Sequence, residues 1–330
     1  MNLKWSSAAA VAVIGVLTGL AWGQCDPVKW SQEPVKIGEW EGFPLFIGWY
    51  EESVYYPQMP RVAAADWQCN EPNPVRDLHI WGSYIGWAEP QPPPAPHGFR
   101  ITFWDDMPVG ADPYWPDVWY SHPDQLIHQV WTDTFDVQFL GWSVDPCEPN
   151  TITDAFFKYE VVFEPAECFF QQPGNIYWVS VSADYGDLQP SHPWAWNNRK
   201  WDEPMIEYGL WGNEGADPAV YADWWCRDDP CEAGPPYDLC FTLTMAIDGD
   251  ANLDGVVDGL DYNAWSLHYN QPGGWTGGDF NGSGFVDGLD YNLWSLNYGC
   301  PRAGEPVPEP ASAALLILGC WFIARRRSGS

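Results

Sequence analysis

The sequence predicts a mainly β protein: an antiparallel β-sandwich body, then a small all-α module, then a C-terminal apolar helix. Three observations carry this. The 32 Pro and 31 Gly of the 330 residues disfavour long helices and favour short strands joined by turns. Aromatic residues reach 17%, with 24 Trp, a weight that argues against wholesale disorder. Strand-length apolar or alternating segments recur through residues 24–246, and no window of 12 or more residues there holds a helical period. The predicted boundaries are 1–23 for a signal peptide, 24–246 for the body, 247–300 for the helical module and 301–330 for a tail.

The N-terminus has the three parts of a secretory signal. A Lys4-bearing start precedes the apolar run Ala8 to Leu20, and Ala21-Trp22-Gly23 puts small residues at the cleavage positions before Gln24. The predicted location is therefore outside the cytoplasm.

In the body, the expected strands are Leu78 to Trp87, Phe99 to Trp104, Phe135 to Trp142, Ala155 to Phe163, Ile176 to Ala183 and Phe241 to Met245. Turn-rich blocks separate them, such as Glu89 to Pro96. Side chains alternate across a strand, so Phe99, Ile101 and Phe103 are expected on one face. Likewise Tyr177, Val179 and Val181 should oppose Ile176, Trp178, Ser180 and Ser182.

Seven cysteines fall in the body: Cys25, Cys69, Cys147, Cys168, Cys226, Cys231 and Cys240. In an oxidising compartment they suggest three disulfides and one free thiol, with Cys226–Cys231 and Cys147–Cys168 as candidate pairs among several. No Cys-x-x-Cys pair supports a zinc site.

The clearest chemistry is a duplicated acidic loop. Asp250, Asn252, Asp254, Asp258 and Asp261 occupy positions 1, 3, 5, 9 and 12, with Gly255 at position 6 and the Val256 carbonyl at position 7. The pattern returns 29 residues later as Asp279, Asn281, Ser283, Asp287 and Asp290, with Gly284 and the Phe285 carbonyl. A hard divalent cation wants six to eight oxygens, and this is the ligand order of a calcium loop. Two calcium ions are expected, one per loop. Ser283 stands where the first loop has Asp254, so the second loop should bind more weakly. A short helix is expected after each loop, with Leu260, Tyr262, Trp265 and Leu267, then Leu289, Tyr291, Trp294 and Leu296, as apolar faces.

This duplicated loop–helix unit, with Asp rather than Glu at position 12, resembles a dockerin domain of type I-like pattern over residues 250–299. The resemblance implies calcium-stabilised docking to a cohesin-like or other surface protein. The helix positions read Gly-Leu-Asp-Tyr-Asn in both copies and lack the Ser-Thr type pair of many cellulosomal members.

Val307-Pro308-Glu309-Pro310 precedes an apolar run from Ala311 to Ala324, and Arg325-Arg326-Arg327 follows. This order resembles a PEP-CTERM sorting signal, with Pro308, Glu309 and Pro310 as the motif. It implies initial anchoring in the membrane by a short transmembrane helix and processing by an exosortase-type enzyme. The plain alternative is a tail anchor, shorter than a comfortable span. The body segments His79 to Trp87, Phe99 to Asp106 and Asn175 to Ser180 are similar to an uncharacterised Trp-rich β-sandwich domain of exported bacterial proteins.

The formal net charge of -31 argues against a nucleic-acid partner on electrostatic grounds. No serine elbow, metalloprotease helix or phosphate loop is present. Adjacent carboxylate pairs such as Asp105-Asp106 point to opposite faces of a strand and make poor glycosidase pairs. The leading expectation is a non-catalytic envelope or extracellular protein, with docking or structural stabilisation through the calcium module. A second reading is a carbohydrate-binding module for extracellular polysaccharide, using Trp115, Trp119, Tyr120, Trp194, Trp196 and Trp201. Against it stands the reading that these rings fill the core, which the sequence favours. A third is a polysaccharide hydrolase with an unrecognised site.

Overall fold

The computed structural model describes residues 27–55, 61–114, 116–117, 120–146, 148, 151–200, 210–212, 224–226 and 237–300. The chain is mainly β. Its strands are β1 (Val28–Gln32), β2 (Val35–Trp40), β3 (Phe43–Ile47), β4 (Tyr50–Glu52), β5 (Val54–Tyr55), β6 (Val62–Gln68), β7 (Val75–Tyr84) and β8 (Gly98–Met107). Then come β9 (His122–Thr132), β10 (Asp136–Val144), β11 (Ile152–Val162), β12 (Ile176–Asp184) and β13 (Trp194–Lys200). The short strands β14 (Leu210–Gly212), β15 (Trp224–Cys226) and β16 (Tyr237–Leu239) precede β17 (Phe241–Met245).

These strands make two sheets. The larger runs β1-β17-β7-β11-β10-β3-β2, with β13 joining β7, β4 and β16. The second runs β15-β14-β6-β12-β8-β9, with β5 beside β12. Pairing is antiparallel except for β3 with β10 and β5 with β12.

One hydrophobic cluster joins the inner faces of both sheets. Leu78, Ile80, Phe157, Tyr159, Val161, Phe241 and Leu243 come from the larger sheet. Phe99, Ile101, Phe103, Tyr177, Val179 and Val181 come from the second. The alternation expected of β8 and β12 is therefore what sets their inner faces. On the outer face, Trp104 and Trp178 pack with Val62 and Ala64. Each indole there finds an acceptor. Trp104 Nε1 donates to Ser180 Oγ at 2.9 Å, and Trp178 Nε1 to Asp106 Oδ1 at 2.8 Å.

The expected cysteine pairing needs correction. Cys69, Cys168 and Cys240 are free and buried. Cys240 packs with Phe46, Trp81 and Phe156, and burial pushes its thiol well up. These three act as small apolar core residues. Cys168 is accordingly not paired with Cys147.

After β17 the chain forms α1 (Gly259–His268), a small β18 (Gln271–Pro272) and β19 (Phe285–Val286) ladder, and α2 (Gly288–Asn297). Among the described residues no helix is long and apolar enough to cross a membrane. Pro308, Glu309, Pro310 and the apolar tail segment lie outside the described residues, as does the N-terminal segment.

Candidate functional site

The two acidic loops fold as copies of one another. In the first, Asp258 is the N-cap of α1 and accepts from the Leu260 N–H at 2.6 Å. Asp261 reaches back to accept from the Asp258 N–H at 2.7 Å, closing a capping box. Its other oxygen accepts from the N–H groups of Ala251 and Asn252. In the second loop Asp287 caps α2 through Leu289, and Asp290 accepts from Asp287, Phe280 and Asn281. A position-12 Asp is short enough to bind the loop backbone and still start the helix.

The remaining ligand positions hold the turns. Asn252 accepts from the Asp254 N–H at 3.0 Å, and Asp254 from the Val256 N–H at 2.9 Å. Asn281 accepts from the Ser283 N–H, and the Ser283 hydroxyl donates to the Phe285 carbonyl at 3.0 Å. Asp279 accepts from Gly284 at 2.7 Å, as Asp250 does from Gly255 at 2.8 Å.

One atom breaks this accounting. Asp250 is fully buried, and its Oδ1 has no hydrogen-bond partner. An unpaired buried carboxylate oxygen is costly. Burial pushes the Asp250 carboxyl up to about 6, against the Gly255 N–H and with repulsion from Asp261 and Asp254. Burial raises Asp261 as well, despite its three backbone donors. A divalent cation would offset both effects, so the residues present fit one. Among the described residues, no group of three or more His, Cys, Asp and Glu is gathered as a metal-holding cluster. The loop carboxylates are turned onto backbone N–H groups, and the loop's ligand order also counts Asn, Ser and carbonyl oxygens.

The helices cross-brace the loops. Trp265 of α1 donates from Nε1 to the Asp287 carbonyl, and Trp294 of α2 donates to the Asp258 carbonyl, each at 2.8 Å. The ring pairs Tyr262–Trp294 at 5.1 Å and Trp265–Tyr291 at 5.2 Å run in opposite directions along the two helices, as antiparallel packing requires. Gly249 and Gly278, both at positive φ, enter the loops where a Cβ would stand 2.8 Å from Trp294 Cα and 2.6 Å from Trp265 Cα. Only glycine meets both conditions.

The expected apolar helix faces need correction. Leu260, Leu267, Leu289 and Leu296 are exposed, while Ala264, Trp265, Leu293 and Trp294 pack toward the core. The segments before the helices add to this seat: Ala251, Leu253, Trp275 and Phe280 belong to the body's own core cluster. Asn73 fixes the junction by donating to Asp248 at 2.7 Å and to the Ala246 carbonyl at 2.9 Å.

The aromatic candidates divide. Trp194 and Trp196 have no exposed surface. Trp194 packs against Phe99 at 5.1 Å, and Trp196 Nε1 donates to the Cys240 carbonyl at 2.7 Å. No sugar ring can stack on either. Tyr120 is half-buried against the outer cluster of the second sheet. Trp115, Trp119 and Trp201 lie outside the described residues. The sequence reading missed Trp40 and Phe43, cross-strand partners on β2 and β3 that are 42% and 44% exposed. Trp142 and Phe139 hold them edge-on at 5.6 and 5.3 Å. Asp105 is exposed while Asp106 is half-buried under Trp178, so that pair does not converge.

Residues 28–244 match the family model described as Domain of unknown function (DUF7901). The match takes in β1 through most of β17 and stops before the acidic loops. No curated protein matches the chain. The chain belongs to the DUF7901 family.

Proposed function

We propose that this DUF7901 family member is an exported, non-catalytic envelope or extracellular protein. Its body would be an antiparallel β-sandwich. The helical pair at 247–300 would be a dockerin-like module that binds two calcium ions and serves docking or structural stabilisation. The observation that carries this reading is the buried, unpartnered Oδ1 of Asp250 inside a twelve-residue ligand order that occurs twice. The four exposed leucines at matching places on α1 and α2 support a docking role, since a repeated apolar face suits a protein partner. That partner would be a cohesin-like or other surface protein. Cys300 is disulfide-bonded, which supports a compartment that oxidises thiols. The PEP-CTERM-like tail would anchor the chain until an exosortase-type enzyme acts on it.

The test is calorimetric titration of the full chain with calcium. Uptake of two ions, with a rise in melting temperature that chelator reverses, is the expected result. A chain that takes up no calcium and melts identically in chelator would end this reading.

A second reading has one observation in its favour. The exposed rings of Trp40 and Phe43, buttressed from behind, form a rigid aromatic surface of the kind that stacks on pyranose faces. Extracellular polysaccharide would be the ligand. A hydrolase gains no such support from the geometry.

A further inference from the structure

The two loops are alike in themselves but are not seated alike on the body. Arg76 lies on β7, near the middle of the larger sheet, and is buried. Its Nε donates to the Leu253 carbonyl of the first loop at 3.3 Å. A Cβ placed on Gly255 would stand 2.5 Å from Arg76 Nη1 and 2.8 Å from Nη2, so the guanidinium lies directly against the loop's turn. Nη1 is buried and has no hydrogen-bond partner. The same loop holds the unpartnered Oδ1 of Asp250, and the two charges attract. Among the described residues, the second loop has no such neighbour at the matching place. No described residue lies within 4 Å of a Cβ placed on Gly284, and Gly282 meets the ring of Pro72.

We propose that Arg76 sets the calcium affinity of the first loop and ties that loop's occupancy to the stability of the β body. The inference rests on reading the loops as calcium sites. Without an ion, the guanidinium is the counter-charge that lets Asp250 stay buried. With an ion present, the same guanidinium repels it. One cation thus holds the empty loop in shape and weakens the filled one. The effect opposes the advantage that Asp254 gives the first loop over Ser283 in the second. In the intact chain the affinity gap between the loops should then be narrower than loop composition implies.

The test is calcium calorimetry and melting on the full chain, with the second loop disabled by Asp279→Asn so that the isotherm reports the first. Arg76→Met should tighten calcium binding roughly tenfold, the scale expected for removing a unit charge several ångströms from a divalent ion at high effective dielectric. It should also lower the melting temperature in chelator and enlarge the gain on adding calcium. Arg76→Lys should stay near wild type in affinity, because the charge remains. If the Met variant does not fold, Arg76→Gln, which keeps a donor for the Leu253 carbonyl, carries the same expectation. Unchanged affinity in the neutral variants, or a Lys variant that shifts as they do, overturns the proposal and leaves the calcium reading standing. No calcium uptake by the wild-type chain overturns both.

Discussion

Trp265 Nε1 donates to the Asp287 carbonyl at 2.8 Å, so the first helix holds the cap of the second. The mirror contact, Trp294 to the Asp258 carbonyl, closes the exchange. Each indole therefore stabilises the loop of the other repeat. Trp265→Phe should cost about 1 kcal/mol, the usual net value of one such bond. If the loops bind calcium, it should weaken binding at the second loop, with Asp250→Asn silencing the first for the measurement. Trp294→Phe should do the converse. Calorimetry showing that each substitution affects its own loop would contradict this exchange.

Ser283 Oγ lies 3.0 Å from the Phe285 carbonyl, to which it donates, and 3.4 Å from Asp279 Oδ1, so it places a hydroxyl where the first loop has a carboxylate. If the second loop binds calcium, Ser283→Asp should raise its affinity by about tenfold, since a fourth carboxylate strengthens the site electrostatically. Without metal the same change should destabilise the chain through repulsion with Asp279. A calcium isotherm unchanged by this substitution would show that loop charge does not set affinity here.

Trp196 and Trp40 separate the core from the surface. Trp196→Ala removes a fully buried indole and its bond to the Cys240 carbonyl, so it should cost about 3–5 kcal/mol. Trp40→Ala removes a partly exposed ring and should cost much less. If the body binds polysaccharide, affinity electrophoresis should show retention lost in Trp40→Ala and Phe43→Ala while both stay folded. Retention that survives both changes would rule out this surface as the sugar site.

The strands with clean alternation were legible in the sequence because burial on one face leaves a period of two. Phe99, Ile101 and Phe103 are the plainest case. Strand β6 was not legible. Its Ala63-Ala64-Ala65 run is buried on both faces, and small residues there carry no period. A helix after each loop was legible from the loop spacing; that Asp258 and Asp287 cap those helices is seen only in the structure. The exchange of indole donors was not legible, because it depends on how two helices pack. Arg76 was also invisible. Nothing near it in the chain announces that a residue 174 positions before Asp250 lies under its loop. The thiols misled for a related reason: compartment predicts oxidation, but Cys69, Cys168 and Cys240 are buried as free thiols in the core.

Asp154 offers a test of the body that is independent of metal. It accepts from the N–H groups of Gly86 and Trp87 at 2.6 and 3.1 Å and is almost fully buried. Burial raises its carboxyl above the ordinary range, and those donors, with the Tyr50 hydroxyl, only partly oppose this. The phenol answers in kind, with burial and the nearby Asp154 charge pushing Tyr50 up to about 12. The sign follows from proton counts. Between the unfolded carboxyl value near 4 and the raised folded value, the folded chain binds more protons than the unfolded one. Stability from this site is therefore greatest at low pH and falls as pH rises through that window. Asp154→Asn keeps an acceptor for both N–H groups and removes the charge. It should flatten the decline in melting temperature on raising pH from about 4 toward neutrality relative to the wild-type chain in the same buffer, where the acidic loops contribute equally to both. An unchanged slope in the variant would mean that Asp154 does not titrate across that range in the folded chain.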